Sequence, residues 1–514
     1  MKRYFLGIDI GTFESRGILI DESFRVAADA SVPHGMDNPQ PGWFEQEAAA
    51  VWWGDLCKLC RTLIQQSGIR PEQIACVGTS ALGTDCLPVD EQCRPLRPAI
   101  LYGIDARASE EAAWLTEHYG QARVQELFGH PICSGDTATK ILWLRRHEPE
   151  IYAKTAYFLT GSSFLTARLT GKYVIDQSLA KGSFRPLYQA DGSVNEAECG
   201  LYCRPDQIAA CAWSTDIVGT VTPEAAAQTG LAAGTPVITG TGDSTAEAIS
   251  VGLVEPGTAF FQYGSSMFYY YCTDHFVGSY VSPQGNGALK GGKAFTVPGT
   301  YCLGDGTNAA GTLTRWVRDL LYSKELDAEK QGGENAYAVM AREAAAVPPG
   351  SDGLIMLPYI YGERSPLQDA EATGMLFGLK GTHGRAQINR AALEAVGYST
   401  YQHLLLFEEL GVPPRRIITA GGGTKNAAWM QIICDMAGMP LTIPEPFQCS
   451  SYGDAMLAAL GVGALESFAA LRAALPQGRI LQPDRKNHEF YQEHYPIFRD
   501  LYLENRDRMH RMQK

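Results

Sequence analysis

A carboxylate at the end of an apolar strand, followed at once by a glycine turn, opens this chain: Ile8-Asp9-Ile10-Gly11-Thr12, with Ser15 close behind. The stretch 3–21 reads as a hairpin whose turn sets backbone N–H groups and small hydroxyls beside Asp9. Unpaired N–H groups form a nest for phosphate oxygens. Glycine lets a phosphate approach the backbone, and a carboxylate can hold Mg²⁺ through water. Strands also end in Asp-x-Gly simply to turn, so the segment alone leaves both readings open. A Walker-type G-x-x-x-x-G-K-[ST] loop is absent from the sequence. A second acid, Asp243, stands in Thr241-Gly242-Asp243-Ser244 at a strand-to-helix turn. There it either caps the helix or faces a cleft, where a carboxylate can take the proton of a hydroxyl nucleophile.

These groups need rigid elements behind them. Residues 4–9, 17–20 and 26–32 read as successive strands, 47–66 as an amphipathic helix ended by Gly68 and Pro71, and 74–80 as a buried strand. Helices are expected over 109–128, 137–147 and 150–170, the last broken at Gly161. A second set begins near 236: an apolar strand runs to Asp243, a helix follows over 244–252, and 259–266 is a strand ending in a small-residue turn. Strand-like and helix-like stretches alternate throughout, so the class is α/β. Residues 324–335 read as an exposed loop or frayed helix, and 485–514 as a surface helix. The aromatic run Phe268-Tyr269-Tyr270-Tyr271 fits a strand with alternating faces better than a sugar-stacking platform.

The 514 residues allow two to four domains, and 45% hydrophobic with 19% charged residues is ordinary for a globular enzyme. A net charge of −13 argues against nucleic acid and anionic lipid as partners. Asp9 interrupts the first apolar run too early for a secretory signal, and the most apolar late stretch, 454–475, contains Asp454, Glu466 and Arg472. A cytoplasmic location is expected. The 13 cysteines show no framework. Cys57 and Cys60 fall on one apolar helix, and Cys199, Cys203 and Cys211 lack a fourth ligand at zinc-site spacing.

The first turn resembles the first phosphate motif of the FGGY carbohydrate kinases, members of the actin/hexokinase-like ATPase superfamily. The similarity continues in order through PGWFEQE (41–47), RPAILYGIDARA (97–108), KILWLRRHEPEIY (140–152), ITGTGDSTAEAISVG (238–252), GERSP (362–366), AALEAVGYSTYQ (391–402) and AGGGTKNAAWMQI (420–432). It covers about residues 3–465. The resemblance implies two ribonuclease-H-like domains flanking a catalytic cleft, 1–245 for the sugar and first phosphate motif and 246–514 for the nucleotide. It turns the Asp243 alternatives toward the general base. It assigns ATP and Mg²⁺ to Asp9, Gly11, Thr12 and Ser15, with Asp9 and Asp243 nearest the metal. Gly264, Ser265 and Ser266 are similar to the second phosphate motif, without its third glycine. Gly421, Gly422, Gly423 and Asn426 resemble the adenosine site. Asp105, in an Asp-x-Arg with Arg107, is the expected sugar ligand, although an Asp–Arg surface pair would look the same. Thr84 and Asp85 are the next candidate wall.

At 83–84 this chain has Gly-Thr, where xylulokinases carry Met-His and glycerol kinases Arg-Glu. Against that, GERSP followed by ATGMLFGL is similar to xylulokinases and FGGY gluconokinases. The expected activity is ATP-dependent phosphorylation of a small sugar, first a pentulose such as xylulose, otherwise gluconate, ribulose, glycerol or another polyol. A non-catalytic sugar or nucleotide sensor on the same fold is the rival. The resemblance also allows a homodimer.

Overall fold

The computed structural model describes residues 3–445 and 449–513. The chain divides into two compact units: Met1–Val254 with Lys293–Tyr301 and Gln448–Leu475, and Glu255–Gly292 with Cys302–Phe447 and Pro476–Lys514. The expected boundary at 245 is therefore displaced. It falls inside the helix Asp243–Ser250, and two later stretches return to the first unit.

In the first unit β1 (Tyr4–Ile10), β2 (Glu14–Asp21) and β3 (Val26–Pro33) form an antiparallel meander. The strand Ile74–Ala81 lies parallel to β1 on its other side, then Pro236–Ile238 parallel to that, then Ile217–Thr220 antiparallel. Gly7 and Gly78 are direct neighbours in this register. They leave a groove for the backbone of the helix Ser450–Gly461: a Cβ on Gly7 would sit 1.8 Å from the Ser451 carbonyl oxygen, and one on Gly78 2.4 Å from that of Asp454. The same helix meets Asp243–Ser250 through Gly453, where a Cβ would come within 1.9 Å of the Ala246 carbonyl. Gly17 admits Leu59 and Leu63 of the helix Gly54–Ser67. Small residues thus replace side-chain interdigitation where backbone meets backbone.

The second unit repeats the plan. Thr258–Tyr263 pairs antiparallel with Met267–Thr273 and parallel with Arg416–Ala420; Leu441–Ile443 follows parallel and Arg479–Leu481 antiparallel. Two sheets of like strand order confirm the α/β class. The aromatic run belongs to the core: Tyr269 and Tyr271 are buried, each against Phe407.

Most expected elements are present, with instructive differences. The helix from 48 begins as a π-helical stretch, Ala48–Trp53, before Gly54–Ser67. The stretch 150–170 is two helices, Pro149–Lys154 and Gly161–Thr170, separated by a short strand Tyr157–Leu159. Thr160 supplies the break, accepting the Ser163 N–H as N-cap. Ser323–Lys330 is helical. The last helix, Arg485–Met512, is more than a surface element, because it buries Tyr491, Tyr495, Phe498, Leu501, Tyr502 and Met509; Lys514 lies outside the described residues. No helix among the described residues is long and apolar enough to cross a membrane. The cysteines are free thiols, and no group of His, Cys, Asp or Glu forms a metal cluster among the described residues.

Candidate active site

Strand register brings the chemistry together in the first unit. Asp9 stands opposite Ser80, and Ser80 opposite Thr241, so three strands end side by side at one edge of the sheet. Carboxyl ends of parallel strands are where α/β sheets take ligands. Gly242 is the extended N-cap residue of the next helix, and Asp243 is its first helical residue. Asp243 is therefore not the N-cap itself, although its Oδ1 accepts the adjacent first-turn Ser244 N–H at 2.7 Å. Glu247 lies one turn further along the same helical face. Asp454 arrives from the helix Ser450–Gly461, and the Ser80 hydroxyl lies 2.8 Å from Asp9 Oδ1 and 2.7 Å from Asp454 Oδ2.

Four carboxyls in so small a volume disfavour each other's ionisation. Burial first, then the charge of Asp243, pushes Asp9 up to about 7, against hydrogen bonds from Ser80 and Ser450. Burial followed by Asp243 and Asp9 raises Glu247 to about 8. Asp454 is fully buried and is pushed well above the usual carboxylate range by that burial and by Asp9. Burial also raises Asp243; the Ser244 N–H and the charge of Lys293 oppose it.

The expected phosphate and sugar residues divide. In the first turn Gly11 N–H closes onto the Glu14 carbonyl at 3.1 Å. Thr12 is part-exposed, its Oγ1 3.2 Å from the Tyr102 hydroxyl. Ser15 does not face a ligand: fully buried, it donates to Asp55 Oδ2 at 2.8 Å. Thr84 is part-exposed, and its carbonyl accepts from the buried Lys140 ammonium at 2.7 Å. Asp85 is sealed from solvent beneath it, and burial raises its pKa well above normal against the pull of Lys140 and the backbone N–H of Tyr102. Asp105 is likewise withdrawn. Its oxygens are used by the N–H groups of Phe44 and Arg107 and by the Arg107 guanidinium, which is held over Trp43 and ion-paired to Glu45. This is a buried structural clasp and neither the expected sugar ligand nor a surface pair.

Sequence reasoning missed Tyr102, Ser80, Glu247 and Asp454. Tyr102 feels the charges of Asp243 and Asp85. The others could have been found only through register, which places Ser80 beside Asp9, and through helical spacing, which places Glu247 beside Asp243.

In the second unit the parallel pairing of Gln262 with Ala420 sets the turn at Gly264, Ser265 and Ser266 next to Gly421. Gly421 has φ +92°, and a Cβ there would come within 2.7 Å of the Tyr263 carbonyl. The two turns border a cavity of about 500 Å³ lined by Gly264, Ser265, Gly422, Gly423, Asn426 and Trp429, among others. Asn426 caps the following helix, its Oδ1 accepting the Trp429 N–H at 3.0 Å. The carbonyls of Gly264 and Ser265 cap the helix Gly311–Leu321, accepting N–H groups of Gly311 and of Ala310 and Thr312 respectively. Ser266 is part-exposed at the same turn.

Two units of like topology, one with convergent carboxyls and one with a glycine-rimmed cavity of nucleotide size, define an ATP-using kinase of the actin-like ATPase fold. The chain belongs to the FGGY family of carbohydrate kinases, whose N-terminal domain matches residues 4–250 and C-terminal domain residues 263–462. It is thus a phosphotransferase acting on a sugar. It is 29% identical to the xylulose kinase of Escherichia coli (strain K12), over 97% of this chain and 98% of that one. It is 28% identical to the gluconokinase of Bacillus subtilis (strain 168), over 98% and 96%. The crystal structure of xylulose kinase from Rhodospirillum rubrum superposes with a TM-score of 0.88 at 28% identity, covering 99% of this chain and 100% of that one.

Proposed function

We propose that this enzyme transfers the γ-phosphate of ATP to a hydroxyl of a pentulose, xylulose first. The observation that carries the mechanism is the alignment of Asp9, Ser80 and Asp243 at adjoining strand and helix ends. The full-length similarity to xylulose kinases supports the acceptor. Asp243 takes the proton of the acceptor hydroxyl as the bond to phosphorus forms. The Ser244 N–H and Lys293 favour the ionised carboxylate that this step needs. The cavity beside Gly421–Gly423 takes the adenosine, and the turn at Gly264–Ser266 the phosphates nearest to it.

The carboxyls of the first unit suit Mg²⁺. Asp9 and Asp243 repel each other, an uncharged neighbour would leave that repulsion in place, and a divalent cation would relieve it. Asp9 and Asp243 would hold the ion through water and phosphate oxygens. Bound there, it would neutralise charge on the transferring phosphate.

Gluconate is the second reading, favoured by the 28% identity to the gluconokinase of Bacillus subtilis (strain 168) over 98% of this chain. ADP release measured over ketoses, aldoses, polyols and sugar acids separates the two. The pentulose reading expects xylulose to be preferred and the signal to vanish in Asp243→Asn. Preference for gluconate selects the second reading, and ADP release unchanged in the variant removes Asp243 as the base.

A further inference from the structure

Three amides line the glycine-rimmed cavity of the second unit: Asn335, Asn389 and Asn426. Two have their oxygens committed to helix caps. Asn335 Oδ1 accepts the Ala338 N–H, and Asn426 Oδ1 accepts the Trp429 N–H. Asn389 differs. It lies on the long helix Arg385–Glu409 and is 1% exposed. Its Nδ2 donates to the Met340 carbonyl at 2.8 Å. A carbonyl can only accept, so this contact fixes which way round the amide sits. The Tyr322 hydroxyl is on the nitrogen's side too: it gives its own proton to Glu343 Oε2 at 2.7 Å, and Asn389 favours its ionisation, as a donor does. Both amide protons are thereby used, and Oδ1 has no partner among the described residues. We infer that Asn389 reads the base in this cavity: its Oδ1 accepts a hydrogen from the 6-amino group of adenine, so that the enzyme prefers ATP to nucleotides with no donor there.

The chemistry of the missing partner is narrow. It must be a donor, because a carbonyl-type oxygen has only lone pairs to offer. It must arrive on an apolar body, because Met340, Leu393 and Trp429 also line the cavity. A purine with an exocyclic amino group meets both conditions. Charge sets the direction in which a nucleotide would lie. Arg315 and Lys425 line the same cavity, are exposed, and have no ion pair among the described residues. They draw phosphates toward solvent, which leaves the base for the buried Asn389. A 6-oxo purine would set its own lone pairs against Oδ1. A purine with hydrogen at that position would leave Oδ1 buried and unpaired, and a site built to hydrogen-bond a group rejects the analogue that lacks it. The inference rests on the reading that this cavity takes adenosine.

Calorimetric titration with nucleotides, without any sugar, is the test. The wild-type protein should bind ATP about tenfold more tightly than purine riboside triphosphate, in which hydrogen replaces the 6-amino group, a difference of roughly one buried hydrogen bond. Inosine triphosphate, with its 6-oxo group, should bind more weakly still. In Asn389→Ala, ATP and purine riboside triphosphate should bind alike. A merely structural disturbance would weaken both by the same factor and leave their ratio unchanged. Equal wild-type affinities for these two, or a preference that survives in Asn389→Ala, overturns the inference. Gly422→Phe tests the reading beneath it. A Cβ on Gly422 meets no atom within 4 Å, so the new ring would take up cavity space. ATP binding undiminished in that variant would remove adenosine from the cavity, and the inference with it. Binding lost there, with no preference for the 6-amino group in the wild type, would overturn the inference alone.

Discussion

Replacing Asp243 by Asn should abolish turnover and yet stabilise the metal-free protein at alkaline pH. The sign comes from linkage. A carboxyl whose pKa is higher folded than unfolded favours the native state while it is protonated. That advantage is complete below the unfolded value and lost as pH rises through the folded one. For Asp9 the window runs from 3.8 to about 7, and for Glu247 from 4.5 to about 8. Asp243 itself is raised, so its charge too is a net cost to the fold. The rise of Asp9, about three pH units, corresponds to a ceiling of about 4 kcal/mol. Burial is the largest cause and persists in the variant, so the share due to Asp243 is about 1–2 kcal/mol. Against it stands the loss of a negative charge in the first turn of the helix, about 0.3–1 kcal/mol. Repulsion wins at pH 8, by about 1 kcal/mol, or a rise in Tm of about 1–2 °C for a chain of this size. At pH 5 Asp9 and Glu247 are already neutral, the repulsion is gone, and the variant should be no more stable than the wild type. Calorimetry in EDTA at both values is the assay. A variant less stable than the wild type at pH 8, or equally stabilised at both, would refute the electrostatic argument.

Further consequences are as direct. Asp105→Asn strips one of two charge partners from the buried Arg107, Glu45 remaining, so it should lower stability by about 1.5–3 kcal/mol; the folded fraction should keep the wild-type KM for the sugar, and a selective rise in that KM would return Asp105 to the sugar site. Gly453→Ala should give little folded protein, because the new methyl would meet the Ala246 carbonyl at 1.9 Å; circular dichroism and solubility report this. Affinity for Mn²⁺–ATP should fall as pH drops through about 7, where Asp9 takes up a proton, by up to about tenfold per unit below it; a flat titration between pH 8 and 6 would exclude Asp9. Asn426→Ala removes a helix cap, costing about 1 kcal/mol, and should raise the KM for ATP without altering that for the sugar.

Local pattern revealed the elements that make up the site more readily than the contacts within it. The hairpin at Asp9, the helix after Asp243 and the turn at Gly421 are written in apolar runs that stop at glycine and acid, and these are local signals. The fate of Ser15 is not local: on β2 it alternates inward, and Asp55, far along the chain, consumes its hydroxyl. The Asp105–Arg107 pair reads in sequence as a polar motif, but Glu45, Trp43 and the Phe44 N–H close over it from another loop. Asp454 was visible only as a charge interrupting an apolar stretch. Its meaning depends on Gly7 and Gly78 being neighbours across two strands, which no window of sequence shows. The domain boundary was misplaced for the same reason, since a chain that leaves a unit and later returns has no composition signal at its crossing points.

The return of Gln448–Leu475 to the first unit bears on how the molecule is made. During synthesis β1 and the strand Ile74–Ala81 emerge early, but the helix that fills the groove over Gly7 and Gly78 leaves the ribosome only after most of the second unit. Until then one face of the first sheet stays bare, and Asp9 lacks both its hydrogen bond from Ser450 and the Ser80–Asp454 link behind it. The nascent chain therefore carries the second unit's early strands before the first unit has a complete core. A chain stalled before residue 450 would lack the helix that covers Gly7 and Gly78. Completion of the carboxyl cluster around Asp9 thus waits for a segment encoded after most of the second unit.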